Sequence, residues 1–190
     1  MEDQMRRCYI TTLIFLGQLL LISQLTMAQT MDDIKSAMEK LKTGGWVATS
    51  ITKFDPPMQG YAPQPVTADI CMDENSREKM INAAHSMGDA QYSNITHDGD
   101  NYAYDATMNG GNHVSTMHVE MNIPNDSEYQ NTMVIKNNNL TTTVKVSYKF
   151  TGDCVAGMNP GDTRPRVNDG MNTTVNVNDF LQKIKTTPAQ

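Results

Sequence analysis

Asp98-Gly-Asp-Asn-Tyr-Ala-Tyr-Asp-Ala-Thr-Met-Asn-Gly-Gly-Asn112 holds two turn signals with an alternating run between them. Tyr102, Tyr104, Ala106 and Met108 fall on one side of that run, and Ala103, Asp105, Thr107 and Asn109 fall on the other. A period of two is the spacing of a half-buried β-strand. Gly, Asn and Asp at both ends tolerate the positive φ that tight turns need.

The same rhythm extends outward from Ala90 to Asp153. Five runs are separated by Asp98-Gly-Asp-Asn101, Asn109-Gly-Gly-Asn112, Pro124-Asn-Asp-Ser127 and Asn137-Asn-Asn139. Met117, Val119, Met121 and Ile123 share a face. Leu140, Val144, Val146, Tyr148 and Phe150 share another, opposite Thr141, Thr143, Lys145, Ser147 and Lys149. Short turns between alternating runs predict an antiparallel meander with one buried and one wet face.

On the N-terminal side, Met31, Ile34, Met38 and Leu41 recur at helical spacing, which predicts a short helix over 31–43 stopped by Gly44-Gly45. Trp46 to Phe54 reads as a first strand. An irregular connection through Pro56-Pro57, Pro63 and Pro65 leads to a second strand, Val66 to Met72. Asp73 is placed to cap a helix through Met87 whose stripe is Met80, Ile81, Ala84 and Met87. Beyond Cys154, five Gly and Pro residues between 157 and 170 predict a long loop over 155–174. Asn178 then caps a last short helix carrying Phe180, Leu181 and Ile184. The expected fold is α+β: a curved antiparallel meander of six to eight strands packed with one main helix, with short terminal helices.

Residues 1–28 read as a cleaved export signal. Arg6 and Arg7 start it, an apolar run from Ile10 to Ile22 follows, and Thr26-Met-Ala28 supplies small residues at the cleavage positions. The run is interrupted by Gln18 and is shorter than the roughly 20 apolar residues of a membrane span. The expected location is the periplasm, with no membrane span after cleavage. Glu2 and Asp3 cancel Arg6 and Arg7, so the mature chain keeps the whole net charge of -6. An acidic chain has no electrostatic route to nucleic acid. The remaining divisions are a helix over 29–43, a β-rich domain over 44–154, and a loop with a short helix over 155–190.

Cys8 leaves with the signal. Cys71 and Cys154 remain, and in an exported protein two cysteines read most simply as one disulfide, the other reading being two separate thiols.

Taken in order, several of these residues resemble a known family, the small exported bacterial proteins grouped as domain of unknown function 3617. The likeness rests on Gly45-Trp46 opening the first strand, Pro56-Pro-Met58, Cys71-Met-Asp-Glu before a helix, the Asp98-Gly-Asp-Asn101 turn, the Met-rich strands and Gly152-Asp153-Cys154. It covers roughly residues 44–154 and implies a periplasmic protein without an assigned activity. Family members often carry a further cysteine pair in the strands after the helix. Gln91 to Asn109 has none, so a Cys71–Cys154 bond stands on counting and is not implied by the likeness.

Other motifs offer chemistry that their surroundings withhold. Ser76-Arg-Glu-Lys79 spells the S-x-x-K of penicillin-binding enzymes, but the S-D-N and K-T-G partners are missing, and a solvated first helical turn is the expectation. Asp98-Gly-Asp-Asn101 resembles the start of a calcium loop, yet Ala103 and Asn109 stand where Gly and Glu belong. Asn94, Asn125, Asn139 and Asn172 open N-x-S/T sites that matter only in a eukaryotic secretory path. His85, His97, His113 and His118 lack zinc spacing. Twelve of the fifteen Met follow Ala28, and Met117, His118 and Met121 could offer soft ligands to copper(I). The alternation puts His118 away from the two Met, which makes core filling the simpler role. No catalytic residues, metal ligands or cofactor are assigned. The function expected is non-catalytic holding of an apolar ligand or a protein partner in a concavity of the sheet. The alternatives are copper handling through Met and His, or an enzyme of unrecognised type.

Overall fold

The computed structural model describes residues 31–85, 90–110, 113–166 and 174–176. The export signal and the Asn178 helix fall outside them. Residues 31–39 form helix α1. β1 (Gly44–Asp55), β2 (Val66–Met72) and helix α2 (Glu74–His85) follow. The meander comprises β3 (Gln91–Asp98), β4 (Asn101–Gly110), β5 (His113–Asn122), β6 (Glu128–Asn137) and β7 (Leu140–Gly152). β8 (Asp162–Pro165) and β9 (Val175–Asn176) complete one open, curled sheet in the order β3-β4-β5-β6-β7-β1-β2-β8-β9. Every pairing is antiparallel.

The five predicted runs are β3 to β7, and each turn falls where the Gly and Asn clusters put it. Asp98 pairs with Asn101 and Asn137 with Leu140, which leaves two-residue connections. Gly99 (φ +58°) and Asn138 (φ +50°) take the left-handed conformations these connections demand. The Asp98 motif is thus a hairpin turn.

The sheet and its cover depart from expectation. The sheet has nine strands, not six to eight, because the segment expected to be a loop over 155–174 contains β8 and β9 follows directly after it. Gly161 N donates to Cys71 O and Arg166 N to Thr67 O, at 2.7 Å each, which fixes that segment along β2. Arg166 also forms an ion pair with the buried Asp69 of β2. A partner 97 residues away in sequence leaves no local signal. One main helix does not describe the cover of the sheet. α1 and α2 both contribute to it: Ile34 of α1 and Leu41 just beyond its end are as deeply buried as Ile81 of α2. Arg77 of α2 donates to the Leu41 carbonyl and ties the two together. α1 ends at residue 39, earlier than the 43 expected, because Lys42 is drawn to the β5–β6 turn. Its N–H donates to Asp126 O at 2.9 Å, and its ammonium lies 3.1 Å from the Asp126 carboxylate.

The start of α2 corrects a further expectation. Ser76 is 1% exposed, so the first turn is not solvated there. Asp73 Oδ1 accepts from Ser76 N at 2.7 Å, and Asp73 N donates to Ser76 Oγ at 2.9 Å. This reciprocal cap satisfies two backbone donors. The Ser76 hydrogen bonds hold the Asp73 carboxyl below its ordinary 3.8. Asp73→Ala is expected to cost about 1 kcal/mol at neutral pH. Because the folded pKa is the lower one, the cap's ionic contribution is complete above the unfolded value and lost as pH falls through the folded value. Urea titrations of both proteins should therefore differ by a constant amount at neutral pH, and the difference should shrink once the pH drops below about 4.

Sulfur joins Cys71, at the end of β2, to Cys154, just past β7, with a Cα–Cα distance of 5.1 Å. β1 lies between those strands: Gly45 pairs with Cys71 on one side and Gly152 on the other. A Cβ on Gly45 would collide with the Asp153 carbonyl, so only glycine lets the chain cross there and bring Cys154 to Cys71. Gly44 takes φ +126°, and a Cβ on it would strike Gly152 O. The Gly44-Gly45-Trp46 sequence thus serves a crossing as well as a strand start.

Candidate functional site

The register puts one side chain from each strand into rows across the inner face. Tyr104, Val119, Met133 and Val144 form one row; Tyr102, Met121, Asn131 and Val146 form the next. Tyr129, Tyr148, Ala48 and Ala68 form a third. The first rows are bulky and lie under the helices. The last narrows to Ala48 and Ala68 on β1 and β2, with Ser50 opposite Val66 beside them. Small side chains on the floor leave space that the helices do not fill.

That space is a groove of about 330 Å³, floored by Ala48, Ala68 and Val146 and walled by Ile70, Met80 and Tyr148. Its volume is in the range of small-molecule sites. Val66, on its lining, is 49% exposed, so the groove opens to solvent there. Met80 and Tyr148 also line a second, more enclosed cavity of about 150 Å³ under α1 and α2. Met31, Ile34 and Met38 cover it, and Tyr104, Val119 and Asn131 lie beneath. The two spaces are neighbours across a shared wall of one flexible thioether and one ring.

The electrostatics of this region are neutral. Its lining carries no Lys, Arg, His, Asp or Glu. Cys71 is held in the disulfide. Burial pushes Tyr104 up to about 12 and also raises Tyr129 and Tyr148. Tyr129 and Tyr148 stack at 4.1 Å between centroids. All three phenols keep their protons at neutral pH. Besides the tyrosines, the polar residues of the lining are Ser50, Ser76 and Thr163 at the groove and Asn131 at the enclosed cavity. The Asn131 Oδ1 is buried and receives no hydrogen bond from the described residues.

The outer face has a different character. His118 Nδ1 lies 2.6 Å from Asp105 Oδ1, Asn94 donates to Asp105 Oδ2 at 2.7 Å, and His118 Nε2 is 3.5 Å from Glu120. The Asn94 and His118 hydrogen bonds hold Asp105 below its usual range; the bond to Asp105 raises His118. His118 is about half exposed, with a carboxylate on each ring nitrogen. Met117 is buried on the opposite face. The Met117, His118 and Met121 side chains that a copper site would need together are thus split between two faces. No cluster of three His, Cys, Asp or Glu able to hold a metal occurs among the described residues. Ser76 and Lys79 do not form a reactive pair, since Ser76 is engaged with Asp73.

Of the expected site residues, Cys71 and Cys154 are bonded. The apolar face named from the alternation is the inner face, but its open part was not legible in the bulky residues. The usable signal was the opposite one, small residues at the inward positions Ala48, Ser50 and Ala68. Asn131, a polar residue at an inward position between Tyr129 and Met133, broke the alternation in the same informative way. No family model, curated protein or solved structure matches the chain.

Proposed function

We propose that this chain is an exported, non-catalytic protein of the bacterial envelope that holds an apolar ligand on the concave face of its sheet. The observation that carries this reading is the groove over Ala48, Ala68 and Val146, apolar, open beside Val66 and backed by a second cavity under the helices. Met80, Met31 and Met38 line the two spaces and supply side chains that adapt to ligand shape. Tyrosines held protonated and a bonded cysteine give the pocket no group poised for proton transfer at neutral pH, which supports binding over catalysis. The disulfide fits an oxidising compartment, as does the Arg6–Ala28 leader, and the resemblance to domain of unknown function 3617 points the same way.

The test is titration of the mature protein with the fluorescent apolar probe N-phenyl-1-naphthylamine. Saturable, blue-shifted enhancement is expected. Ala68→Phe puts a ring on the groove floor and should weaken the probe at least tenfold while circular dichroism stays that of a β-sheet. No saturable signal, or a folded Ala68→Phe protein that binds as the parent does, would sink the reading.

A further inference from the structure

Pro56-Pro-Met-Gln-Gly-Tyr-Ala-Pro-Gln-Pro65 joins β1 to β2 at the open end of the groove. The two strands pair as far as Ser50 and Val66, which both line the groove. Beyond Ser50, β1 runs on to Asp55 against β7, and the loop returns beside it. The Tyr61 hydroxyl donates to Thr52 O at 3.3 Å, and its ring meets Phe54 edge-on at 4.9 Å between centroids. Phe54 alternates onto the same face as Ala48 and Ser50, which sets the Tyr61 ring on the groove's side. Every residue from Asp55 to Val66 is exposed. Met58, Tyr61 and Val66 place exposed apolar area together there, whereas Val114, Val155 and Val175, the other large exposed ones among the described residues, are scattered along the chain.

We infer, on the basis of the ligand-holding reading above, that the Pro56–Pro65 loop docks on the surface of a zwitterionic phospholipid bilayer, with Met58 and Tyr61 entering the headgroup region and the mouth at Val66 facing the lipid. Charge selects this partner. The chain has 15 basic and 21 acidic residues, yet Pro56 to Ala68 carries none. Lys53 and Asp55, one of each sign, precede that stretch, and Asp69 after it is buried against Arg166. A neutral surface on an acidic chain has no attraction for anionic lipid, and no charge of its own to desolvate on entering a neutral one. The backbone agrees. Pro56, Pro57, Pro63 and Pro65 have no N–H to leave unpaired in lipid, and the Tyr61 N–H is already given to Met58 O. The same prolines deny a protein partner the donors that strand addition requires. Tyrosine's amphipathic ring suits the headgroup level. A groove for apolar ligands also gains from this placement, because such ligands reside in membranes and not in water.

Flotation of the mature protein with phosphatidylcholine vesicles tests the docking. Saturable flotation is expected, and it should not strengthen when phosphatidylglycerol is added to the vesicles. Met58→Asp/Tyr61→Asp removes the apolar contacts and adds two carboxylates, so partition should fall roughly tenfold or more. Neither residue lines the groove. Binding of N-phenyl-1-naphthylamine without vesicles should therefore match the parent's. Absence of flotation in the parent, as when the loop serves a protein partner instead, overturns the inference. So does flotation of the folded double variant equal to the parent's, or flotation that depends on phosphatidylglycerol. Each of these leaves the ligand-holding reading intact, whereas absence of probe binding in the parent removes both. Should the double variant fail to fold, Gln59→Asp/Gln64→Asp, which puts the same charges at exposed polar positions, decides by the same comparison.

Discussion

The double variant Cys71→Ala/Cys154→Ala is expected to lose about 2–5 kcal/mol of unfolding free energy, and reduction of the parent protein should give the same loss. The bond spans a sequence separation of 83 residues. A loop of that size implies about 4–5 kcal/mol of closure entropy removed from the unfolded chain, less any native strain. The native contacts around it do not replace it. Cys154 follows β7 where the chain has left the ladder, and the crossing over Gly45 is held beside it by Gly161 N donating to Cys71 O. Urea unfolding followed by tryptophan fluorescence, with and without reductant, reads the effect. The midpoint of the parent should fall on reduction, and the double variant should be indifferent to reductant. Coincident curves for oxidised and reduced parent protein would show that the bridge does not constrain the unfolded chain. For a domain whose total stability is of the order of 5–15 kcal/mol, such a loss is a large share.

What could be read in advance follows from the range of the forces involved. The meander was legible because its signals are local: alternation sets each strand, and Asn or Gly sets each turn, as at Gly99 and Asn138. The helix start at Asp73 was legible for the same reason, although the burial of Ser76 was not. A cap looks alike whether the turn is wet or packed, and only the tertiary setting separates them. β8 escaped because its pairing with β2 depends on Asp69 meeting Arg166 across the fold and on backbone donors reaching Cys71 and Thr67. The Gly and Pro content that suggested a loop was real, but β8 is only four residues long and pairs with β9 only through Asp162 and Thr163, so Pro165 owes that neighbour no ladder hydrogen bond. The candidate site was half legible. Alternation marked the inner face, whereas the groove depends on two facing alanines, Ala48 and Ala68, whose pairing is a matter of register between β1 and β2. Asn131 could have been noticed as a polar interruption. That its oxygen lacks a partner is a property of the packed sheet.

Trp46→Ala should cost about 3–5 kcal/mol, the range for removing a buried large aromatic side chain. Trp46 is 2% exposed and meets two rings edge-on, Tyr129 at 5.9 Å and Phe150 at 5.6 Å between centroids. Its indole N–H donates to the Lys42 carbonyl at 2.9 Å, which joins the end of the α1 segment to β1. Trp46→Phe retains a ring but leaves that carbonyl without its donor, so a smaller loss is expected, about 1–3 kcal/mol. Equilibrium urea unfolding by circular dichroism, with the slope checked for constancy, measures both. A loss below about 1 kcal/mol for Trp46→Ala would place this residue outside the core. The residue lies next to Gly45, beside the disulfide, so neighbouring effects would ordinarily couple. Here they should add to within about 0.5 kcal/mol, because the bridge acts mainly on the unfolded chain and Trp46 on the packed one. Combining Trp46→Phe with Cys71→Ala/Cys154→Ala tests this at a tolerable total loss. An interaction energy well above that margin would mean that the sulfur bond also shapes the packing of Trp46 against Phe150 in the folded protein.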